Sequence, residues 1–209
     1  VPISRREDVL KAEKTKKMTT FSIQARIDKS WTLFLDRDGV INVENVGSYI
    51  TNWQEFEFCG GALDALKHLG EVFGNIVVVT NQRGVGKGIM SKDDLKEIGE
   101  QMTGNIVAAG GRIDKIYACT ATEDTDHNRK PNTGMALQAK EDFPAIDFKK
   151  SVMVGNSLSD MEFGKKLGMH TVFLTTKHEP YSLPHDLIDE QYASLKDWAA
   201  TIKWHEMVG

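Results

Sequence analysis

The chain has 209 residues, 40% of them apolar and 27% charged, with a formal net charge of −4 and a pI near 5.9. That length can bury one full core and leaves no room for a second catalytic domain. The acidic balance excludes a global electrostatic footprint for nucleic acid, two cysteines exclude a disulfide framework, and no apolar stretch reaches the length of a membrane span. With no charged-then-apolar signal at the front, these features predict a cytoplasmic protein that holds a small anionic molecule locally, with neither nucleic acid nor membrane as partner.

From Val1 to Lys17, six Lys/Arg stand against three Asp/Glu with few large apolar residues. Residues 1–30 therefore read as an N-terminal arm or linker and 31–209 as one domain. Trp31 to Leu35 and Ile76 to Val79 are continuous apolar runs that predict strands buried on both faces. Ile113 to Cys119, Val152 to Val154 and Thr171 to Leu174 are shorter runs of the same kind. Between them lie helical patterns: Ala62 to Leu69, the stripe Leu95, Ile98, Met102 and Ile106 behind a Ser91 N-cap, Thr133 to Ala139, Leu158 to Leu167, and Ser194 to Trp204. The alternation predicts an α/β fold, a Rossmann-like parallel sheet with helices on both faces. Ligands of such sheets gather at the carboxyl ends of the strands, where Asp36, Thr80 and Gly155 stand.

Four segments carry chemistry in one order: Asp36-Arg37-Asp38-Gly39, Thr80-Asn81-Gln82, Arg129-Lys130-Pro131, and Gly155-Asn156-Ser157-Leu158-Ser159-Asp160. Cleaving a phosphate ester needs a nucleophile, charge neutralisation on the equatorial oxygens and a proton for the leaving oxygen. Asp36 is the candidate nucleophile and Asp38 the acid, then the base that activates water. Gly39 permits the turn that lets both reach one point. Thr80 and the amides after it, through Asn81, Gln82 and Arg83, offer donors to phosphate and substrate oxygens, as does Ser157. Lys130 is the candidate cation and Arg129 the fork for a second anionic group. Asp36, the Asp38 carbonyl, Asn156 and Asp160 are oxygen donors suited to Mg²⁺.

Each segment has a plainer reading by itself. Asp-x-Asp also caps turns or holds structural cations, Thr-Asn ends many strands, Arg-Lys is often a solvated pair, and Gly-Asn-Ser is a helix N-cap. Gly84, Gly86 and Gly88 around Lys87 look like a phosphate loop, but position 81 is Asn where a Walker A sequence needs Gly, and no Ser or Thr follows Lys87. An ATP-binding loop is rejected.

Together the segments resemble the haloacid dehalogenase-like phosphatases from about Trp31 to Leu174. Leu35 to Asn42, Thr80 to Val85 and Arg129 to Met135 are similar to the branch containing D-glycero-D-manno-heptose-1,7-bisphosphate 7-phosphatases and histidinol-phosphatases. The resemblance implies a Mg²⁺-dependent phosphoric monoester hydrolase that works through an aspartyl-phosphate. It implies Asp36 as nucleophile, Asp38 as acid/base, Thr80 and Lys130 on the phosphoryl group, and Arg129 in substrate recognition. The resemblance implies a small sugar phosphate as substrate, foremost D-glycero-D-manno-heptose 1,7-bisphosphate cleaved to the 1-phosphate; the alternatives are a histidinol-phosphate phosphatase, a polynucleotide 3′-phosphatase or an inactive phosphate-binding module. The spacing from Asp38 to Thr80 and on to Lys130 leaves no room for a large cap domain, so an open, loop-lined site is expected.

The chain departs from this pattern twice. Relatives carry a zinc loop before Arg-Lys-Pro, whereas Cys119 to Asn128 here holds one Cys and one His, too few for a four-ligand site. No structural zinc is expected, and the loop should be ordered by other contacts. Asn156 stands where the family usually has a metal-binding Asp, which removes one negative charge from the site.

Overall fold

The structure is a computed structural model and describes residues 23–203. Most of the expected arm, residues 1–22, lies outside the described residues, as does Trp204. Ile27 is fully buried in the core and Gln24, in a 3₁₀ turn at Ile23–Ala25, is nearly so. Packing therefore begins a few residues before Trp31.

Six strands form one parallel sheet: β1 (Thr32–Leu35), β2 (Asn75–Asn81), β3 (Lys115–Cys119), β4 (Ser151–Gly155), β5 (His170–Leu174) and β6 (Glu190–Tyr192), in the order β3-β2-β1-β4-β5-β6. Among the described residues the α-helices are α1 (Ala62–Val72), α2 (Arg83–Gly86), α3 (Lys92–Ala108), α4 (Gly134–Asp142), α5 (Leu158–Lys166) and α6 (Leu195–Ala199). The chain runs outward from β1 to β3, then crosses back to start again at β4 beside β1. That reversal opens a crevice above the carboxyl ends of β1 and β4, the usual ligand position in open α/β sheets.

Side chains alternate between the two faces along the central strands although Leu33–Leu35, Ile76–Val79 and Val152–Val154 are wholly apolar. Leu33 and Leu35 pack with Leu66, Leu69, Ile106 and Trp198 on one face, and Phe34 packs with Val77, Met153 and Phe163 on the other. Two-sided burial explains why β1, β2 and β4 read as unbroken apolar runs. The Ser91 cap closes a capping box with Asp94, whose amide donates to Ser91 Oγ (3.0 Å), and Ile98, Met102 and Ile106 turn inward.

β6 has no apolar run to announce it. It is a polar edge strand: Glu190 accepts from Gln24 Nε2 (2.5 Å) and Tyr192 Oη (2.7 Å), and lies 2.8 Å from His170 Nε2. The Gly84-to-Gly88 stretch forms the short α2 rather than a phosphate loop. Between β1 and α1 stands only a loop with one 3₁₀ turn at Trp53–Glu55, pinned by stacking of Trp53 on Phe56 with centroids 4.8 Å apart. The crevice stays open, without a large cap.

Candidate active site

β1 delivers two carboxylates to the crevice. The Asp36 amide donates to Val154 O (3.0 Å), which holds it in line with the sheet. The chain then turns out at Gly39, whose φ of +78° lies in the region glycine favours. The resulting cleft, about 280 Å³, is lined by Asp36, Arg37, Asp38, Asn81, Gln82, Arg129, Lys130, Asn156, Ser157 and Asp160, and also by Glu44, Ser48, Tyr49 and Lys177.

Lys130 is the electrostatic centre. Its ammonium donates to Asp36 Oδ1 (2.9 Å) and lies 2.6 Å from Asp160 Oδ1, and the Lys130 and Asp160 side chains are 2% and 1% exposed. Burial opposes the ammonium charge, but the carboxylates of Asp160 and Asp36 outweigh it and hold its pKa above the usual lysine value. Asn81 positions this lysine. Its side chain accepts from the Lys130 amide (3.0 Å) and donates to the Lys130 carbonyl (3.1 Å), clasping one residue's backbone from both sides.

Asp36 and Asp38 are pushed in opposite directions. Burial raises Asp36; Lys130 counters it, but Asp160 and Asp38 add to the rise and leave the carboxyl at about 7. Asp38 is also opposed by burial, yet Arg37 Nη2 (2.9 Å), Asn42 Nδ2 (3.0 Å) and Gln82 Nε2 (2.8 Å) all donate to it and hold it below the usual range. Gln82 bridges to Thr80 as well, donating to Oγ1 at 2.8 Å. That leaves the hydroxyl proton of Thr80 for another acceptor. Thr80 sits behind Gln82, buried and away from the cleft lining.

A raised Asp36 fixes the sign of a pH effect. The folded, metal-free chain keeps a proton on Asp36 that the unfolded chain gives up near pH 4, so this group's contribution to stability is present below that pH and is lost as pH rises toward 7. Thermal unfolding without divalent cations should show wild type losing stability relative to Asp36→Asn between pH 4 and 7, on the order of a few kcal/mol. Parallel curves for the two proteins would refute the shift.

Asp160 is committed to protein partners on both oxygens. Oδ1 meets Lys130, and Oδ2 accepts from Ser157 N (3.1 Å) and Ser157 Oγ (2.7 Å) in the capping box of α5. This differs from the ligand role expected of it. It also ties up the Ser157 hydroxyl expected to bind substrate. The Asn156 side chain donates instead to Glu44 Oε2 (2.9 Å).

Arg129 and Arg83 meet on one carboxylate. Asp124 Oδ1 accepts from Arg129 Nε (3.0 Å) and from Arg83 Nη2, while the Asp124 side chain is 84% exposed. Among the described residues, Arg129 Nη1 and Arg83 Nε are buried without a hydrogen-bond partner. Arg83 stands outside the cleft lining. The loop carrying Asp124 is held by Asn132 Nδ2, which donates to Asp124 O (3.2 Å) and Asp126 O (2.8 Å), and by Cys119 Sγ on Asp126 Oδ1 (3.4 Å).

Arg37, Asn42, Glu44 and Lys177 were not singled out in the sequence. Arg37 carried a signal, since it lies between the two aspartates. Glu44 and Lys177, paired at 2.7 Å from opposite ends of the domain, carried none.

The sequence model of the family described as polynucleotide kinase 3 phosphatase matches residues 32–194. A D-glycero-alpha-D-manno-heptose-1,7-bisphosphate 7-phosphatase of Mycobacterium tuberculosis is 41% identical over 141 residues, 67% of this chain and 74% of that protein. A protein of the same name from Campylobacter jejuni is 34% identical over 151 residues, covering 72% and 86%. Among solved structures, the D,D-heptose 1,7-bisphosphate phosphatase of B. bronchiseptica, complexed with magnesium and phosphate, superposes with a TM-score of 0.73 at 24% identity, covering 81% of this chain and 96% of that one.

Proposed function

Because the chain belongs to the polynucleotide kinase 3 phosphatase family of haloacid dehalogenase-like hydrolases, we propose that it removes the 7-phosphate of D-glycero-D-manno-heptose 1,7-bisphosphate. It is a phosphoric monoester hydrolase, and its relatives at up to 41% identity are named for this reaction. The observation that carries the reading is Lys130 Nζ bonded between Asp36 and Asp160 in the cleft that Asp38 also lines. It supports a nucleophile, a fixed cation and a second carboxyl acting on one phosphoryl group.

Asp36 attacks phosphorus, and the breaking ester bond leaves its electron pair on the sugar oxygen, which takes a proton from Asp38. Asp38 then accepts a proton from water as that water attacks the aspartyl-phosphate, returning Asp36 and inorganic phosphate. In the free site, Asp36 holds a proton more readily than Asp38 does. A phosphate dianion raises Asp38 by repulsion when it enters, which moves the proton preference toward the acid the reaction needs. Lys130 balances charge on the phosphoryl oxygens and Asn81 fixes its backbone. Thr80 acts through Gln82, whose amide donates to both Thr80 and Asp38.

The donors present fit Mg²⁺, and a relative of the same fold is complexed with magnesium and phosphate. Asp36, the Asp38 carbonyl and Asn156 would hold it; all are hard oxygens, and a buried carboxyl pushed to about 7 is short of positive charge. Bound there, Mg²⁺ supplies charge neutralisation for the nucleophile and the phosphoryl oxygens. Asp160 acts through Lys130.

Arg129 and Arg83 suit a second anion. Their shared carboxylate is exposed and replaceable, and each keeps an unpartnered buried N–H. The loop before Arg129 carries Glu123, Asp124 and Asp126, but the amine of histidinol phosphate approaching Asp124 would meet the Arg83 and Arg129 guanidinium groups bonded to it, and Asp126 is held by the Asn128 amide. The net charge of −4 weighs against a polynucleotide.

A panel of heptose bisphosphate, histidinol phosphate and a 3′-phosphorylated oligonucleotide, assayed for phosphate release with Mg²⁺, tests the choice. Arg129→Ala should raise KM for the bisphosphate by ~10- to 100-fold and change KM for a monophosphate ester little. Equal losses on both substrates would remove the second-anion role.

A further inference from the structure

Asn156 introduces a neutral amide where a cation is to be held, and its surroundings are not neutral. Nδ2 donates to Glu44 Oε2 at 2.9 Å and approaches Thr176 Oγ1 at 3.4 Å. Thr176 spends its own proton on Gly39 O (2.8 Å), so toward Asn156 it can only accept. A carboxylate likewise only accepts. Both neighbours therefore require the NH₂ end of the amide, which fixes its orientation and leaves the carbonyl oxygen as the atom this side chain can offer to a cation. Gly39 makes the room: a Cβ there would lie 1.9 Å from Asn156 Nδ2. Lys177 Nζ holds the other Glu44 oxygen at 2.7 Å.

We propose that Glu44 is a positioning residue that orients and polarises the Asn156 amide, so that the carboxylate this chain lacks at position 156 acts through the amide from Glu44. A negative charge hydrogen-bonded behind an amide N–H draws electron density toward its carbonyl oxygen, as carboxylates behind metal-ligating groups strengthen those ligands. The site thus keeps a carboxylate behind the amide rather than at position 156 itself. This rests on the Mg²⁺ site proposed above.

Direct titration of the full chain with Mg²⁺ by calorimetry, in the absence of substrate, tests it. Glu44→Gln should weaken Mg²⁺ binding ~10-fold or more, and Glu44→Asp, which keeps the charge but draws it back by a methylene, should weaken it less. In an Asn156→Asp background the sign should reverse. Position 156 then carries its own carboxylate, Glu44 opposes it, and Glu44→Gln leaves affinity unchanged or raises it. An unchanged Mg²⁺ affinity in Glu44→Gln, or the same loss in both backgrounds, would overturn the inference while the metal site stands. A wild-type chain that binds no divalent cation would overturn both.

Discussion

Asp36→Asn should reduce phosphate release by ~10³-fold or more on every substrate that wild type cleaves, the scale on which loss of an acting nucleophile registers. The amide is isosteric and its oxygen can still accept from Lys130, so the cleft keeps its shape and loses its nucleophile. Two further outcomes separate this from unfolding. The variant should match or exceed wild type in thermal stability at neutral pH without metal, because it removes a buried carboxyl whose charged form is disfavoured there. Acid-quenched wild type incubated with labelled phosphate ester should retain covalent label, and Asp36→Asn should not. Turnover by the variant within tenfold of wild type would mean that Asp36 does not attack phosphorus.

The parts of the site that were legible in the sequence sit where backbone rules apply. Asp36 ends an apolar run, Thr80 ends another and Asn156 begins a capped helix, so the parallel-sheet architecture alone puts them above neighbouring strands. Lys130 was legible through its motif rather than its spacing. What the sequence did not disclose is how these groups are held. Asn81 looked like a phosphate or substrate donor, and instead its amide is consumed by the Lys130 backbone. Gln82 serves Asp38 and Thr80. Asp160 looked like a ligand, but the capping box and Lys130 use both its oxygens. In each case a polar side chain has several possible partners, and which one it meets depends on loops that fold back from distant segments. β6 was missed for a related reason: an edge strand buried on neither face needs no apolar run.

Lys130→Met carries the second large effect, on stability as well as on rate. Removing one partner of a buried ion pair leaves the other charges uncompensated, at a cost of roughly 3–5 kcal/mol, and here two carboxylates, Asp36 and Asp160, lose the same ammonium. That cost should depend on pH with a definite sign. Lys130 is the group that holds Asp36 down to about 7, so in its absence Asp36 rises further and keeps a proton that wild type releases near pH 7; the destabilisation measured by chemical denaturation should therefore grow as pH rises past 7. Adding Asp160→Asn should restore much of the lost stability by removing one of the stranded charges. It should restore no activity, because the cation that balances the phosphoryl oxygens is still missing, a loss worth ~10²- to 10³-fold in kcat. If Lys130→Met were as stable as wild type at pH 8, or if the double variant recovered turnover, the ammonium would be a packing element rather than the charge around which the site is built.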